Sequence, residues 1–550
     1  MQHITGTDRN QTSFTTLETQ IAANNPVRVI EAFAEKLDLQ KMHFNTQIKA
    51  EGRRPFHPKM FLKLYLYGYL NRVRSSRKLE TECRRNIELH WLLEELTPNY
   101  HSIADFRKQY SRQLKFVFKA FTAFLKDNDC FGKEVIAVDS TKVRAQNASK
   151  NNYNAKKIER HLNYIEQKAS QYLQELESMD REENNIKEES IKKEKVKQKL
   201  EQLEKRKINY EHLRELSDHS IDGQVSTTDT ESKAMIHRTN VVAVSYNVQT
   251  AADAKHNLVA DFENTNKNDS QALAHTAQQA KEALDIKAGE PLTVLSDKGY
   301  HNGSQIHQCE QNNITTITAY REQPAVKHLE KEFLVTSFPY NHSNDTYTCP
   351  NGATMVTTGT LHFKKREDGE TSYRFKKYTT PACAVCAIKQ QCTKLKKRAI
   401  ERSEYQDAIE RNNERVRTQK ELYNKRQQII EHIFGTIKRS WGYTYTLLKG
   451  IKKVNGEMAL IFTAYNMRRS MTIFGVEELL TRLNEWKGPD YTALITLLNA
   501  FLQYMQSKWL MFIKCTQVSQ KNYRAHIACY WPALRNYKRC VLRNRSLLTF

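Results

Sequence analysis

Proline and glycine are scarce in this chain, 11 and 17 among 550 residues, which excludes collagen-like repeats and flexible low-complexity sequence. Long apolar runs are missing too. The greasiest stretch, residues 491–513, is interrupted by Asn499, Gln503, Gln506, Ser507 and Lys508, too polar to span a bilayer, so no membrane partner is expected. Ten cysteines are too sparse for a disulfide scaffold. The first thirty residues, with Asp8, Arg9, Asn10 and Gln11, lack the basic start and apolar run of a secretory signal, and a cytoplasmic protein is expected. Acidic residues are the last deficit: 62 Asp and Glu stand against 86 Lys and Arg, a net charge of +24. Polyanions are the natural partner of such a chain.

What is present implies several folded units, since domains run to roughly 150 residues each. Residues 1–128 read as a helical DNA-binding domain. Phe61, Leu62, Leu64, Tyr65 and Tyr67 precede the basic run Arg72, Arg74, Arg77 and Lys78, and residues 51–120 hold 15 Lys and Arg against 7 Asp and Glu. That density suits phosphate contacts; an ordinary solvated surface is an equal reading. Residues 131–320 change character. Glu134-Val-Ile-Ala-Val-Asp139 reads as a buried strand ending at the Asp. Ile158, Leu162, Ile165, Ala169, Tyr172, Leu176 and Met179 then form a heptad seam, broken at residues 180–185 and resumed by Val196, Leu200 and Leu203. A helical hairpin over 153–216 is the simplest reading, with a continuous rod or an intermolecular coiled coil as rivals. A β-hairpin over 241–265, with its turn at 253–257, is followed by strands at 291–297 and 314–319 with helices between, an order that suits a mixed α/β sheet.

Residues 321–400 carry short β signals and cysteines. Residues 401–475 continue the core and open with a long helix, 404–440, stopped near Gly442 and bearing Tyr423, Arg426, Glu431 and Lys438. Glu431 and Lys438 are seven apart and share a face, whereas Arg426 lies roughly 140° around the helix from Glu431. Residues 476–550 form a basic tail. After Asp490 it has nine basic residues and no acidic one, which fits either a DNA-binding tail or read-through into sequence not selected as protein, the second being preferred.

Two aspartates at the ends of separate buried strands, Asp139 and Asp297, can meet at one sheet edge, where open α/β folds bind substrates. With Glu431 as a third carboxylate they would hold hard divalent ions, two Mg²⁺ with Mn²⁺ as substitute, in the arrangement that serves phosphodiester chemistry. The plainer alternatives are a strand terminator, a turn residue and a solvated helix carboxylate. Cys349, the pair Cys383 and Cys386, and Cys392 could close a structural zinc site, with four reduced thiols as the alternative.

These residues fall in three blocks: Ala137-Val-Asp-Ser-Thr-Lys-Val-Arg-Ala-Gln146, Leu295-Ser-Asp-Lys-Gly-Tyr-His-Asn302 and Tyr423-Asn-Lys-Arg-Gln-Gln-Ile-Ile-Glu-His-Ile-Phe-Gly435. They resemble the three acidic blocks of DDE transposases from bacterial insertion sequences. Arg54-Pro-Phe-His-Pro-Lys-Met-Phe-Leu-Lys-Leu-Tyr65, Tyr69-Leu-Asn-Arg-Val-Arg-Ser-Ser-Arg77 and Ile103-Ala-Asp-Phe-Arg107 resemble the helical N-terminal domain of one such group, so the likeness runs from about residue 8 to 475. It implies an RNase H-like core carrying Asp139, Asp297 and Glu431 as catalytic, Mg²⁺-binding residues. It implies Arg72, Arg74, Arg77, Lys142, Arg144, Arg426 and Lys438 as DNA contacts, Lys438 being equally readable as a solvated lysine. Tyr423, Arg426, Glu431 and Lys438 match a Tyr-Arg-Glu-Lys signature in type and order. Four residues rather than the commoner three separate Arg426 from Glu431, a departure that bears on Arg426 more than on Glu431. The implied activity is metal-dependent cleavage at the element's ends and strand transfer into target DNA. The implied partners are double-stranded DNA, as terminal inverted repeats and target, and further copies of the chain in a synaptic complex, with a nucleoid-associated location. The rival function is a catalytically inactive, transposase-derived DNA-binding or regulatory protein.

Overall fold

Ile136, Ala137 and Val138 are fully buried in succession, the mark of a strand covered on both faces. They lie in β1 (Val135–Arg144) of the computed structural model, which describes residues 10–489 apart from residues 13, 49–50, 52–53, 182–185, 221, 239–240, 321–329 and 366–370. The basic tail from residue 490, the start of the cysteine-bearing insertion and the centre of the expected seam break lie outside the described residues.

Four further strands complete the core sheet: β2 (Val241–Asp253), β3 (Leu258–Thr265), β4 (Leu292–Ser296) and β5 (Ile314–Thr318). β2 runs antiparallel to both β1 and β3, while β4 is parallel to β1 and β5 to β4. The order is therefore β3-β2-β1-β4-β5, a mixed RNase H-like sheet, with Lys233–Arg238 added beside the start of β2. β1 does not end at Asp139, as its apolar run suggested. Its pairing with β4 stops at Val138 opposite Ser296, but pairing with β2 continues to Arg144 opposite Ser245. The two parallel strands diverge there, which opens the sheet at Asp139.

Among the described residues six α-helices precede the sheet: α1 (Val27–Glu35), α2 (Pro58–Leu70), α3 (Ser76–Arg85), α4 (Ile87–Leu92), α5 (Tyr100–Gln109) and α6 (Ser111–Asp127). Ser75, Asn86 and Asn99 cap three of them through side-chain oxygens that accept backbone N–H bonds, as short polar residues do at N-caps. α7 (Ala155–Arg181) and α8 (Ile186–Asp218) interrupt the core. His161 near the start of α7 stacks on Tyr210 near the end of α8, so the two fold back on each other as an antiparallel hairpin. Ile158, Leu162, Ile165, Leu203, Tyr210 and Leu213 form its private apolar cluster.

α9 (Leu273–Ala283) and α10 (Gly303–Gln311) link the later core strands. A second sheet between Tyr340 and Ser403 makes the β insertion, with the short α11 (Lys389–Cys392). The expected 404–440 helix is broken. α12 (Gln406–Thr418) ends at Gln419, whose φ of −114° and ψ of 44° leave the helical region, and α13 (Lys420–Phe434) passes into a π-helical turn, Gly435–Ser440. α14 (Ile451–Phe474) and α15 (Val476–Glu485) close the structure. α14 packs on α6, α2 and β3, and one apolar core runs unbroken from Ile21 through the sheet to Trp486. Among the described residues no helix is long and apolar enough to cross a membrane.

Candidate active site

Parallel register sets the first two acids side by side. Val138 lies opposite Ser296, and the next residue on each chain is Asp139 and Asp297. Asp297 leaves β4 and caps the tight turn Lys298–Tyr300, its Oδ1 accepting the Gly299 amide at 2.8 Å. A Cβ on Gly299 would sit 3.0 Å from that same oxygen, so the turn keeps its shape best with glycine. Asp139 Oδ1 accepts the Ser140 amide at 2.7 Å, and Oδ2 forms an ion pair with Arg426 Nη1 at 3.0 Å. Only 21% of the Asp139 side chain is exposed. Burial first, and then the neighbouring Asp297, push its carboxyl up to about 6, against the pull of the Ser140 amide and Arg426.

Asp269 also raises Asp139, and the sequence reading did not single it out. It opens a one-turn helix ahead of α9. Its Oδ1 accepts from Asn247 Nδ2 and Gln249 Nε2, both at 2.7 Å. Both donors are buried residues of β2, and Gln249 stands opposite Ser140 in the ladder. Gln249 in turn accepts from the buried Tyr300 hydroxyl. Burial, then Asp269 and Asp139, hold that hydroxyl well above its ordinary pKa. A buried polar network thus fixes Asp269 beside the Asp139–Asp297 pair. The signal available in the sequence was Asn268-Asp-Ser270, which reads as a helix start.

Glu431 is not in this cluster. It is exposed and accepts from Gln427 Nε2, one turn back on α13, at 2.8 Å. The ligating atoms of Asp139, Asp297 and Glu431 do not all come within 4.8 Å of one another; among the described residues the one such group of His, Cys, Asp and Glu is His342, Asp407 and Glu410. Arg402 already makes ion pairs with Asp407 and Glu410. By the same measure Asp139, Asp297 and Asp269 do not form such a group either; Asp269 stands within electrostatic reach of Asp139, while Glu431 bonds to its own helix. Helical phase bears on this: Arg426 pairs with Asp139 of β1, and five positions further along, the helix has turned by roughly 140°.

The expected DNA contacts divide. Arg74 is buried, 3.4 Å from the equally buried Glu457, donates to the Tyr445 carbonyl at 2.8 Å and stacks on the Tyr443 and Tyr445 rings. It is an interior residue, not a surface contact. Lys438 donates to the Lys142 carbonyl at 2.8 Å, and Lys142 donates to that of Ile236 at 2.7 Å, so both ammonium groups hold β1 in place. Arg144 and Arg77 are exposed, Arg77 lying over the Tyr100 ring. Arg72 is exposed and reaches Ser440 Oγ at 3.4 Å. Burial and then the charges of Lys438, Lys142 and Arg144 lower the pKa of His237, which puts three of these cations near that imidazole. Cys349, Cys383, Cys386 and Cys392 line one small cavity in the β insertion.

Comparison with known proteins finds two matching family models. Residues 348–471, spanning the cysteines and Glu431, match the family described as "Transposase DDE domain". Residues 15–109 match the family described as "Transposase domain (DUF772)". No curated protein matches the chain. A match to a transposase domain before the RNase H-like sheet and a match to a transposase DDE domain at its end together support a DDE transposase of an insertion element.

Proposed function

We propose that the chain cuts DNA at the ends of an insertion element and joins the freed 3′ ends to target DNA, using divalent metal held by Asp139 and Asp297. The observation that carries this reading is the parallel register that sets Asp139 and Asp297 side by side in a largely buried setting at the end of β4. Clustered carboxylates with too little compensating positive charge suit a hard cation with oxygen ligands. Asp269 adds a third carboxylate, and the Arg426 guanidinium already stands as a partial counter-charge against Asp139. Bound there, a pair of divalent ions supplies activation of an attacking water or 3′ hydroxyl and stabilisation of the leaving oxygen.

The chain's own residues have separate tasks. Tyr300, Gln249 and Asn247 keep Asp269 aimed at the pair. Arg72, Arg77 and Arg144 offer exposed guanidinium groups to the DNA backbone, where basic side chains position the duplex without reading its sequence. Glu431 joins the pair through movement of α13, whose two ends support that reading. One end is the non-helical Gln419 and the other the π-turn Gly435–Ser440, and π-turns recur at functional sites.

The test uses the full chain, Mg²⁺ or Mn²⁺, and duplexes carrying the element's ends. Asp139→Asn and Asp297→Asn should each slow strand cleavage by about 10²- to 10³-fold, the scale of losing one electrostatic catalytic group, while duplex binding persists. Cutting at the normal rate in both variants would overturn the assignment. Glu431→Gln and Asp269→Asn, compared side by side, separate the two candidate third carboxylates. If wild-type protein binds the duplex but cuts with neither metal, the regulatory reading replaces this one.

A further inference from the structure

Four cysteines of the β insertion are not used by the chemistry above. Cys349 opens the turn Cys349-Pro-Asn-Gly352, in which the Gly352 amide donates to the Cys349 carbonyl at 2.8 Å and Gly352 takes a φ of 76°, a conformation glycine adopts without strain. Cys383 lies in the short turn Pro381–Ala384, Cys386 follows it, and Cys392 ends α11. All four are free and half-buried. They meet around a single cavity of about 30 Å³, which Phe333 and Met355 also line, room for roughly one water or ion. Burial raises the Cys392 thiol, and Cys383, Cys349 and Cys386 raise it further against the pull of Arg398. Each of the other three sulfurs therefore lies within electrostatic reach of Cys392. Asn351 Nδ2 donates to Cys386 Sγ at 3.7 Å, tying the first turn to the Cys-x-x-Cys pair with the kind of outer hydrogen bond that orients metal ligands.

The insertion has only a small apolar core of its own. Its apolar cluster comprises five buried residues, Phe338, Tyr347, Met355, Tyr378 and Ile400, with Cys349 and Cys392 packed against them. Small units with so modest a core usually depend on a crosslink.

We propose that Cys349, Cys383, Cys386 and Cys392 form a closed tetrahedral zinc site that fastens the insertion, separate from the carboxylate cluster. Thiolates select zinc over the hard ions that oxygen ligands take, and four protein ligands leave no open position, so the site is structural. Among the described residues no three of these sulfurs yet lie within 4.8 Å of one another. Binding at Zn–S distances of about 2.3 Å accordingly draws the 349–352 turn and α11 inward onto the cavity.

The full chain, purified in reductant without chelator, should carry one zinc by elemental analysis. Cys386→Ser and Cys392→Ser should lose it, and Cys309→Ala should keep it. Because serine variants can misfold, wild-type protein stripped of metal and titrated with Co²⁺ provides a second readout. A tetrahedral thiolate site gives intense visible bands and sulfur-to-cobalt charge transfer, both abolished by added Zn²⁺, together with slowed amide exchange at residues 349–352 and 383–392. A folded, zinc-free chain without those bands overturns the proposal, as does full zinc retention by both serine variants.

Discussion

Single residues carry the sharpest departures from what their sequence neighbourhood suggests. Arg74 stands in a basic run, yet its guanidinium is 7% exposed and faces Glu457, 1% exposed. Glu457 also accepts the Leu447 and Leu448 amides, so it joins α14 to the segment that pairs with the end of β1. Removing one partner of a buried pair leaves an unpaired charge, at a cost of about 3–5 kcal/mol. Glu457→Gln and Arg74→Ala should each lower stability by that order in chemical denaturation, while duplex affinity of the folded fraction stays unchanged. A selective loss of DNA binding in Arg74→Ala at full stability would return it to the DNA-facing set. Asp269 illustrates the converse. Nothing local marks it as more than a helix-opening residue; its place follows from buried amides on β2, a strand about twenty residues earlier.

At the scale of elements, legibility followed periodicity. β1, β2 and β4 were readable because β-branched runs are bounded by polar turns, and the hairpin because its seam repeats at heptad spacing. α14 was not resolved within residues 401–475, since residues 456–467 are all buried and a helix covered on every side has no polar face to set a period. Its fit is close: a Cβ on Gly456 would lie 2.3 Å from the Ser111 carbonyl oxygen of α6. Gly456→Ala should therefore destabilise the protein by about 3 kcal/mol, the upper range for overpacking a core, with the exposed Lys452→Ala neutral as control. A thermal midpoint equal to wild type would mean that the α6–α14 contact is looser than this. α13 was legible as a helix, but not its phase. Helical spacing alone leaves open which of Arg426 and Glu431 faces β1.

Across the whole molecule, the principal core joins the N-terminal helices, the sheet and α14, whereas the hairpin keeps an apolar cluster of its own. The hairpin is tied at its base by the short ladder Asn152–Asn154 with Gln224–Ser226. Replacing residues 155–223 by a tight turn should leave a soluble chain whose melting midpoint moves by only a few degrees, about the effect of 1 kcal/mol in a protein of this size. Aggregation or loss of the cooperative transition would show that the hairpin supports the core. What the sequence determined by itself was chemistry and periodicity: the acidic blocks, the strands that bear two of them, the basic excess and the cysteine spacing. All of these are carried by residue type and by contacts short along the chain. The tertiary structure alone decided that Asp269 lies near Asp139 and Asp297, because strand register and buried side chains far apart in sequence place it there. It likewise decided which cations are spent inside, since burial depends on what packs over a residue and not on its neighbours along the chain.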